Sequence, residues 1–180
     1  MDIIACGYEP PAEHLQTIEN GFNRIREKLG ERADTLFTGL KLYLADLGPS
    51  GGQALARENA VVLNVSKMGI TVAEMEDMLA PTGQYRKGDQ SNLVGGQADA
   101  GELGFVHELG HILEFRVHGD YDIGFKGLDQ SDAPTEYGQK SAREDYAESW
   151  MYYIYGGQID PNMQSIIEND LQSAGQEVSA

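Results

Sequence analysis

The segment His107-Glu108-Leu109-Gly110-His111 restricts the fold of this chain more than any other part of the sequence. It has the form H-E-x-x-H, which places two histidines one helical turn apart on the same face of a helix. Two neutral imidazoles in this arrangement can bind Zn²⁺, while the glutamate beside them can reach a metal-bound water but not the metal itself. The segment therefore predicts a helix with a metal-binding face.

Apolar residues accompany the motif on the other side of the predicted helix, where they can pack into a core: Phe105, Leu109, Ile112 and Leu113. The alternative interpretation is a surface helix with two solvated histidines. A shuffled chain with the same four His and sixteen Glu would contain the motif only about once in a hundred. We therefore prefer the metal-binding interpretation.

The composition is that of a globular protein. The chain has 180 residues, of which 41% are hydrophobic, and we expect a single domain that spans residues 1–180. No run of apolar residues is long enough to predict a membrane span. Cys6 is the single cysteine, so no internal disulfide is possible.

The charge and the first residues bear on partners and location. A net charge of −16 argues against a nucleic-acid partner, because phosphate binding needs a basic patch. The first residues lack the basic start and the apolar run of a signal peptide. We therefore expect either a cytosolic protein or the mature fragment of an exported one.

The spacing of apolar residues predicts an α+β domain with a small mixed sheet. Helices are expected at 11–29, 71–80, 102–118, 141–155 and 160–173, and strands at 36–45 and 60–66. We expect the two strands to pair, and an exposed edge such as 60–66 could add an extended peptide to the sheet. The polar segments 81–101 and 119–140 are long loops, and such loops are often lids or binding lips. A disordered connector is equally compatible with 81–101.

A catalytic zinc site needs a third protein ligand besides the two histidines. The metzincin pattern requires glycine at 114 and histidine at 117, but the chain has Glu114 and Val117 there. His118 misses the required spacing by one residue, so we interpret it as a surface residue. Carboxylates downstream remain as candidates: Asp129, Asp132, Glu136, Glu144, Asp145 and Glu148.

Glu144 and Glu148 stand four residues apart on the predicted helix 141–155 and therefore share a face. One of them can bind zinc while the other hydrogen-bonds a ligand imidazole. Two simpler interpretations stay open. Glu144 can be part of a capping box with Ser141, and Glu148 can belong to a solvated face.

Together these residues resemble a known family. The motif at 107–111, followed by Tyr137 and then Glu144-Asp-Tyr-Ala-Glu148, is similar to the Y-x₆-E-x-[FY]-A-E pattern of the anthrax lethal factor catalytic domain and the Pro-Pro endopeptidases. The resemblance covers roughly residues 100–155. It implies a zincin-like, gluzincin-like fold in which one helix carries H-E-x-x-H and a second helix carries a glutamate ligand.

The resemblance also implies a role for each site residue. His107, His111 and Glu144 would bind Zn²⁺, Glu108 would be the general base, and Tyr137 would be a second electrophile or proton donor. With Glu144 as the ligand, Glu148 is left to hydrogen-bond a ligand imidazole. A packing role for Tyr137 is the alternative.

The expected function is that of a zinc metalloendopeptidase that cleaves peptides or proteins, proline-containing ones among them. Because relatives in the resembled group are secreted, the chain would be exported if it is a mature fragment. Three alternatives remain: an Asp ligand from 129–132, a cytosolic regulator-cleaving H-E-x-x-H peptidase without a catalytic tyrosine, and a non-catalytic zinc module. A purely structural site has no use for Glu108, and no fourth Cys or His ligand is apparent.

Overall fold

The computed structural model describes residues 1–7, 9–48, 52–119 and 130–177, except for the side chains of 176 and 177. This part is an α+β structure, about 61% helical, with a small mixed sheet of four strands, so the predicted class is confirmed. The elements in chain order are β1 (Asp2–Ala5), α1 (Ala12–Leu29), α2 (Arg32–Leu36), β2 (Lys41–Ala45), β3 (Gln53–Leu55), β4 (Ala60–Asn64), α3 (Val72–Leu79), α4 (Ser91–Val94), α5 (Ala100–His118), α6 (Ala142–Tyr155) and α7 (Pro161–Glu177).

The sheet has the strand order β1-β2-β4-β3. β1, β2 and β4 run parallel, and β3 runs antiparallel to β4. The predicted pairing of the two recognised strands is confirmed, with Lys41 opposite Ala60. Both strands are shorter than predicted. β2 begins late because residues 32–36 form a helix, and β4 ends at Asn64, whose side chain accepts a hydrogen bond from the N–H of Ser66 and starts a tight turn.

The edge strands of the described sheet are β1 and β3. The expectation that 60–66 offers an exposed edge is wrong, because β4 lies between β2 and β3. β1 and β3 were not predicted from the sequence. β3 has only three residues, and β1 is largely exposed, so neither carries an alternation of buried and exposed residues that could reveal it.

The five predicted helices are all present. α3 begins with the predicted capping box, in which Thr71 and Glu74 exchange side-chain and backbone hydrogen bonds. α5 begins two residues earlier than predicted, because the Asp99 side chain accepts a hydrogen bond from the N–H of Gly101. The segment 81–101 contains the short helix α4, and residues 120–129 of the second long loop lie outside the described residues. No helix in the described ranges is long and apolar enough to cross a membrane.

α5 runs through the centre of the molecule. It contacts β4, α1, α6 and α7, and every residue from Ala100 to Glu114 except Gly104 is buried. The sequence predicted a core contact for one face only. The face that carries His107 and His111 is covered as well, because α6 packs against α5 and Tyr137, in the loop before α6, lies beside His107.

Gly110 allows α5 and α6 to approach closely. A Cβ atom at this position would lie 2.9 Å from Trp150 Cδ1 and 3.0 Å from Ala147 Cα. Only glycine therefore fits at this position without a shift of the neighbouring helix. By contrast, a Cβ at Gly104, on the same helix, would have no atom within 4 Å.

We expect Gly110→Ala to lower the free energy of unfolding by about 1–3 kcal/mol, because the added methyl group must push α6 away. Urea unfolding followed by circular dichroism measures this change. Gly104→Ala is the matched control, and it should be neutral or stabilising by up to about 1 kcal/mol, since alanine favours the helix and meets open space. Equal stability of the two variants would contradict the tight α5–α6 contact.

Candidate metal centre

The first turn of α6 brings Glu144 to the two histidines of α5. α6 starts after Ser141, whose hydroxyl accepts a hydrogen bond from the N–H of Glu144 at 3.2 Å. This is one of the two hydrogen bonds of the predicted capping box, the one from the Glu144 backbone to the Ser141 side chain. The Glu144 carboxylate lies against His107 and His111. Capping and a role at the histidines are thus compatible, because the first uses the backbone of Glu144 and the second its side chain.

The three side chains are spaced as ligands of one ion would be. Glu144 Oε2 lies 3.2 Å from His107 Nε2 and 3.4 Å from His111 Nε2. Ligand atoms at about 2.0–2.2 Å from a tetrahedral zinc lie roughly 3.3–3.6 Å from one another. In the part of the chain that the structure describes, this is the one group of three or more His, Cys, Asp and Glu side chains whose donor atoms lie close enough together to hold a metal ion.

Glu148 orients the first histidine. It is fully buried, and its Oε1 lies 2.7 Å from His107 Nδ1, on the opposite side of the ring from Glu144. The other carboxylate oxygen accepts a hydrogen bond from Thr135 Oγ1 at 2.7 Å and a longer one from Gln90 Nε2 at 3.3 Å. Glu148 thus makes the contact that was predicted for it, and a solvated face is ruled out.

A buried carboxylate holds the loop that carries Gln90. Glu76 on α3 accepts hydrogen bonds from the N–H groups of Gly88, Gln90 and Ser91 and from the Ser91 hydroxyl, at 2.6–3.0 Å. Thr135, Gln90 and Glu76 were missed by the sequence analysis. They lie 13 to 72 residues from Glu148, and no local motif connects them with it.

Glu108 lines the cavity next to His107 and Glu144. Its carboxylate packs against the backbone at Gly52, where a Cβ would come within 3.2 Å of Glu108 Oε1. Burial raises the pKa of Glu108, and the negative charge of Glu144 adds to this effect, whereas the two histidines and a hydrogen bond from the Ala54 backbone lower it. A carboxylate in this state holds a proton more readily than a solvated one does.

Tyr137 lies beside His107, with 5.8 Å between the ring centroids. Its ring stacks on Tyr85 at 5.1 Å, and Lys140 Nζ lies 4.3 Å from its centroid. Burial, together with the charges of Glu144 and Glu108, raises the pKa of Tyr137 to about 12, so its hydroxyl keeps its proton at neutral pH. Tyr85 is a second tyrosine of the cavity that the sequence analysis missed.

The other candidates lie away from the three-residue group. Asp132 and Glu136 are exposed, and Asp145 is buried with a hydrogen bond from Ser149. Asp129 lies outside the described residues. His118 also takes no part. Its side chain is partly exposed at the end of α5, with 20% of its surface accessible, and its Nε2 lies 3.0 Å from Asp170 Oδ2 on α7.

Comparison of the chain with protein-family models, with curated proteins and with solved structures found no match. The geometry of the site therefore carries the functional interpretation by itself.

The charges of the site are coupled. Burial lowers the pKa of His107, but hydrogen bonds with Glu144 and Glu148 raise it further than burial lowers it, to about 10. Burial raises the pKa of Glu144, yet the contacts with the two histidines hold it well below its usual range. Without a metal, His107 is therefore an imidazolium between two carboxylates at neutral pH. A metal ion has to displace this proton.

We expect Zn²⁺ binding at pH 8 to release about one proton or more, because His107 is still protonated there and must lose its proton to become a ligand. Affinity should rise by roughly tenfold per pH unit as pH increases toward 10. Calorimetry in buffers of different ionisation enthalpy counts the protons. Glu148→Gln, which removes one of the two carboxylates beside His107, should release fewer, and a wild-type value near zero would show that His107 is not paired in this way.

Proposed function

We propose that the chain is a zinc-dependent endopeptidase with a zincin-like active site. The observation that carries the proposal is that His107, Glu144, Glu108 and Tyr137 line one cavity of about 520 Å³. A metal site that only stabilises the fold has no use for a buried carboxylate and a protonated phenol beside its ligands. Zinc is the metal we propose, since two imidazoles and one carboxylate are a ligand set typical of catalytic zinc.

His107, His111 and Glu144 would hold the ion, which as a Lewis acid would polarise the peptide carbonyl and lower the pKa of bound water. Glu108 accepts a proton from the water whose oxygen attacks the carbonyl carbon. It then delivers this proton to the amine nitrogen as the carbon–nitrogen bond breaks. The raised pKa of Glu108 suits both steps, because the group must take up the proton and release it again.

Tyr137 would donate a hydrogen bond to the carbonyl oxygen as negative charge develops on it. With its pKa raised to about 12, the hydroxyl carries its proton at neutral pH and can donate it in a hydrogen bond. Glu148 holds the His107 ring in place through Nδ1, so that Nε2 faces Glu144. Thr135 and Gln90 in turn fix the Glu148 carboxylate.

The substrate would be a peptide in extended conformation. β3 is the edge strand of the sheet that adjoins the cavity, because it begins directly after Gly52, which lines the cavity. A peptide that pairs with this edge would run past Glu108. Proline-containing peptides are part of the proposal through the family resemblance alone.

Glu108→Ala should lower peptide cleavage by at least about a thousandfold while zinc stays bound, because the general base is lost and the three ligands are kept. A peptide library read by mass spectrometry, with zinc measured by atomic absorption, tests this. Glu168→Ala, which removes an exposed carboxylate on α7, is the matched control and should retain activity. Equal cleavage by wild type and Glu108→Ala, or none by either despite bound zinc, would favour a non-catalytic zinc module.

Tyr137→Phe should lower kcat by roughly a hundredfold and change KM little, since the lost hydrogen bond forms mainly as the carbonyl oxygen gains charge. Steady-state kinetics on a peptide from the library measures both constants. Tyr43→Phe on β2 removes a hydroxyl outside the cavity lining and serves as the control. A Tyr137→Phe enzyme with unchanged kcat would reduce Tyr137 to a packing residue.

A further inference from the structure

Thr135 lies behind the proposed metal site, next to Glu148. Its side chain is completely buried, and its hydroxyl donates a hydrogen bond to Glu148 Oε2 at 2.7 Å. The same hydroxyl accepts a hydrogen bond from the N–H of Gly138 at 3.1 Å. The Thr135 hydroxyl therefore joins two parts of the site, the carboxylate that holds His107 and the turn that carries Tyr137.

The direction of both hydrogen bonds follows from the chemistry of the groups. The N–H of Gly138 can only donate, so the Thr135 oxygen has to accept there, and its single proton is left for Glu148. Hydrogen bonds in such a chain polarise one another, which strengthens each of them. A valine side chain has nearly the shape of threonine but can form neither bond.

The turn 135–138, which carries Tyr137, packs closely on α6. A Cβ at Gly138 would lie 3.4 Å from Glu148 Cβ. The hydrogen bond between the first and the last residue closes the turn around Tyr137, whose ring centroid is 5.8 Å from that of His107. A shift of this turn relative to Glu148 would therefore move Tyr137 relative to His107.

We propose that Thr135 is a positioning residue that fixes the orientation of His107 and the place of Tyr137 together. Without the hydroxyl, Glu148 Oε2 keeps the longer hydrogen bond from Gln90, at 3.3 Å, and the carboxylate holds the His107 ring less firmly. The turn also loses the hydrogen bond that closes it. The effect on metal binding does not depend on a reaction, whereas the effect on catalysis rests on the proposed peptidase function.

The first experiment measures zinc affinity and needs no turnover. Thr135→Val removes the hydroxyl and Thr135→Ser keeps it, and both are compared with the wild type by competition with a chromophoric chelator. We expect zinc to bind about tenfold more weakly to Thr135→Val, because partners that orient a ligand imidazole typically contribute this much or more. Thr135→Ser should stay within about threefold of the wild type. An unchanged affinity in Thr135→Val, or an equal loss in both variants, would overturn the proposal.

Thr17→Val is the matched control. It removes another buried threonine hydroxyl that donates to a carboxylate, that of Asp99, and Thr17 lies outside the cavity lining. Its zinc affinity should equal that of the wild type. A loss as large as that of Thr135→Val would show that any buried hydroxyl has this effect, and would overturn the specific role of Thr135.

The second experiment follows Tyr137 itself. The protein is labelled with 3-fluorotyrosine and kept in excess zinc, and the Tyr137 fluorine resonance, one of nine from tyrosine, is assigned by its absence from the Tyr137→Phe spectrum. Thr135→Val should shift or broaden this resonance, whereas Thr135→Ser and Thr17→Val should leave it in place. An unchanged resonance in Thr135→Val would contradict the link between Thr135 and Tyr137.

Gly138→Ala tests the same link from its other end, and it also decides the question if Thr135→Val does not fold. The added methyl group has to displace the turn, because a Cβ there would lie 3.0 Å from Ala133 Cβ, while the Thr135 hydroxyl is kept. The Tyr137 resonance should therefore move. A folded Gly138→Ala protein with the wild-type Tyr137 resonance would overturn the link.

Kinetics on a cleaved peptide separate this inference from the proposed function. Thr135→Val should lower kcat in saturating zinc, and by a smaller factor in a Tyr137→Phe background, because the two residues act partly through the same phenol. Equal factors in the two backgrounds would overturn the part that concerns Tyr137. If the wild type cleaves no peptide, the peptidase is removed, and the zinc affinities and fluorine spectra still decide the role of Thr135.

Discussion

The structure depends on the mutual compensation of charged side chains buried between α5 and α6. His107 and His111 are buried with only a small exposed fraction, and Glu114 and Glu148 are fully buried. An isolated charge in such surroundings would be very unfavourable. Each imidazole has carboxylates near both ring nitrogens: Glu144 and Glu148 for His107, and Glu144 and, at 3.9 Å, Glu114 for His111. Removal of one partner leaves the remaining charges buried without an opposite charge to compensate them. The group is therefore stable only as a whole.

This compensation requires the close approach of the two helices. Gly110 lets the backbone of α6 come against α5, and Trp150 Nε1 donates a hydrogen bond to the Val106 carbonyl at 3.0 Å across the same contact. Ala147 of α6 lies at this contact, and Glu144 stands three residues, or about one helical turn, before it. The donor spacing that suits a metal ion is therefore a consequence of helix packing. A methyl group added at Gly110 would shift one helix relative to the other and so change the distances between the three side chains.

Residues close together in sequence could be predicted, and those brought together by tertiary structure could not. The helix with H-E-x-x-H, the 141–155 helix and the Thr71 capping box all carry local signals, and the structure contains each of them. The contact of Glu148 with His107 could be inferred because both helices and their polar faces were evident. Gln90 had no such signal. It reaches Glu148 over 58 residues of chain from a segment with little regular structure.

Buried carboxylates order the outer wall of the cavity, where helices and strands do not. Glu76 accepts hydrogen bonds from the backbone N–H groups of Gly88, Gln90 and Ser91. Asp89 accepts a hydrogen bond at 2.9 Å from the N–H of Glu136, the residue before Tyr137. One carboxylate can satisfy several N–H groups that lack partners in secondary structure. Part of the acidity behind the net charge of −16 is thus structural. Because these contacts form within the chain, a molecule that entered the cavity would meet an ordered wall and would not have to supply the free energy to order it.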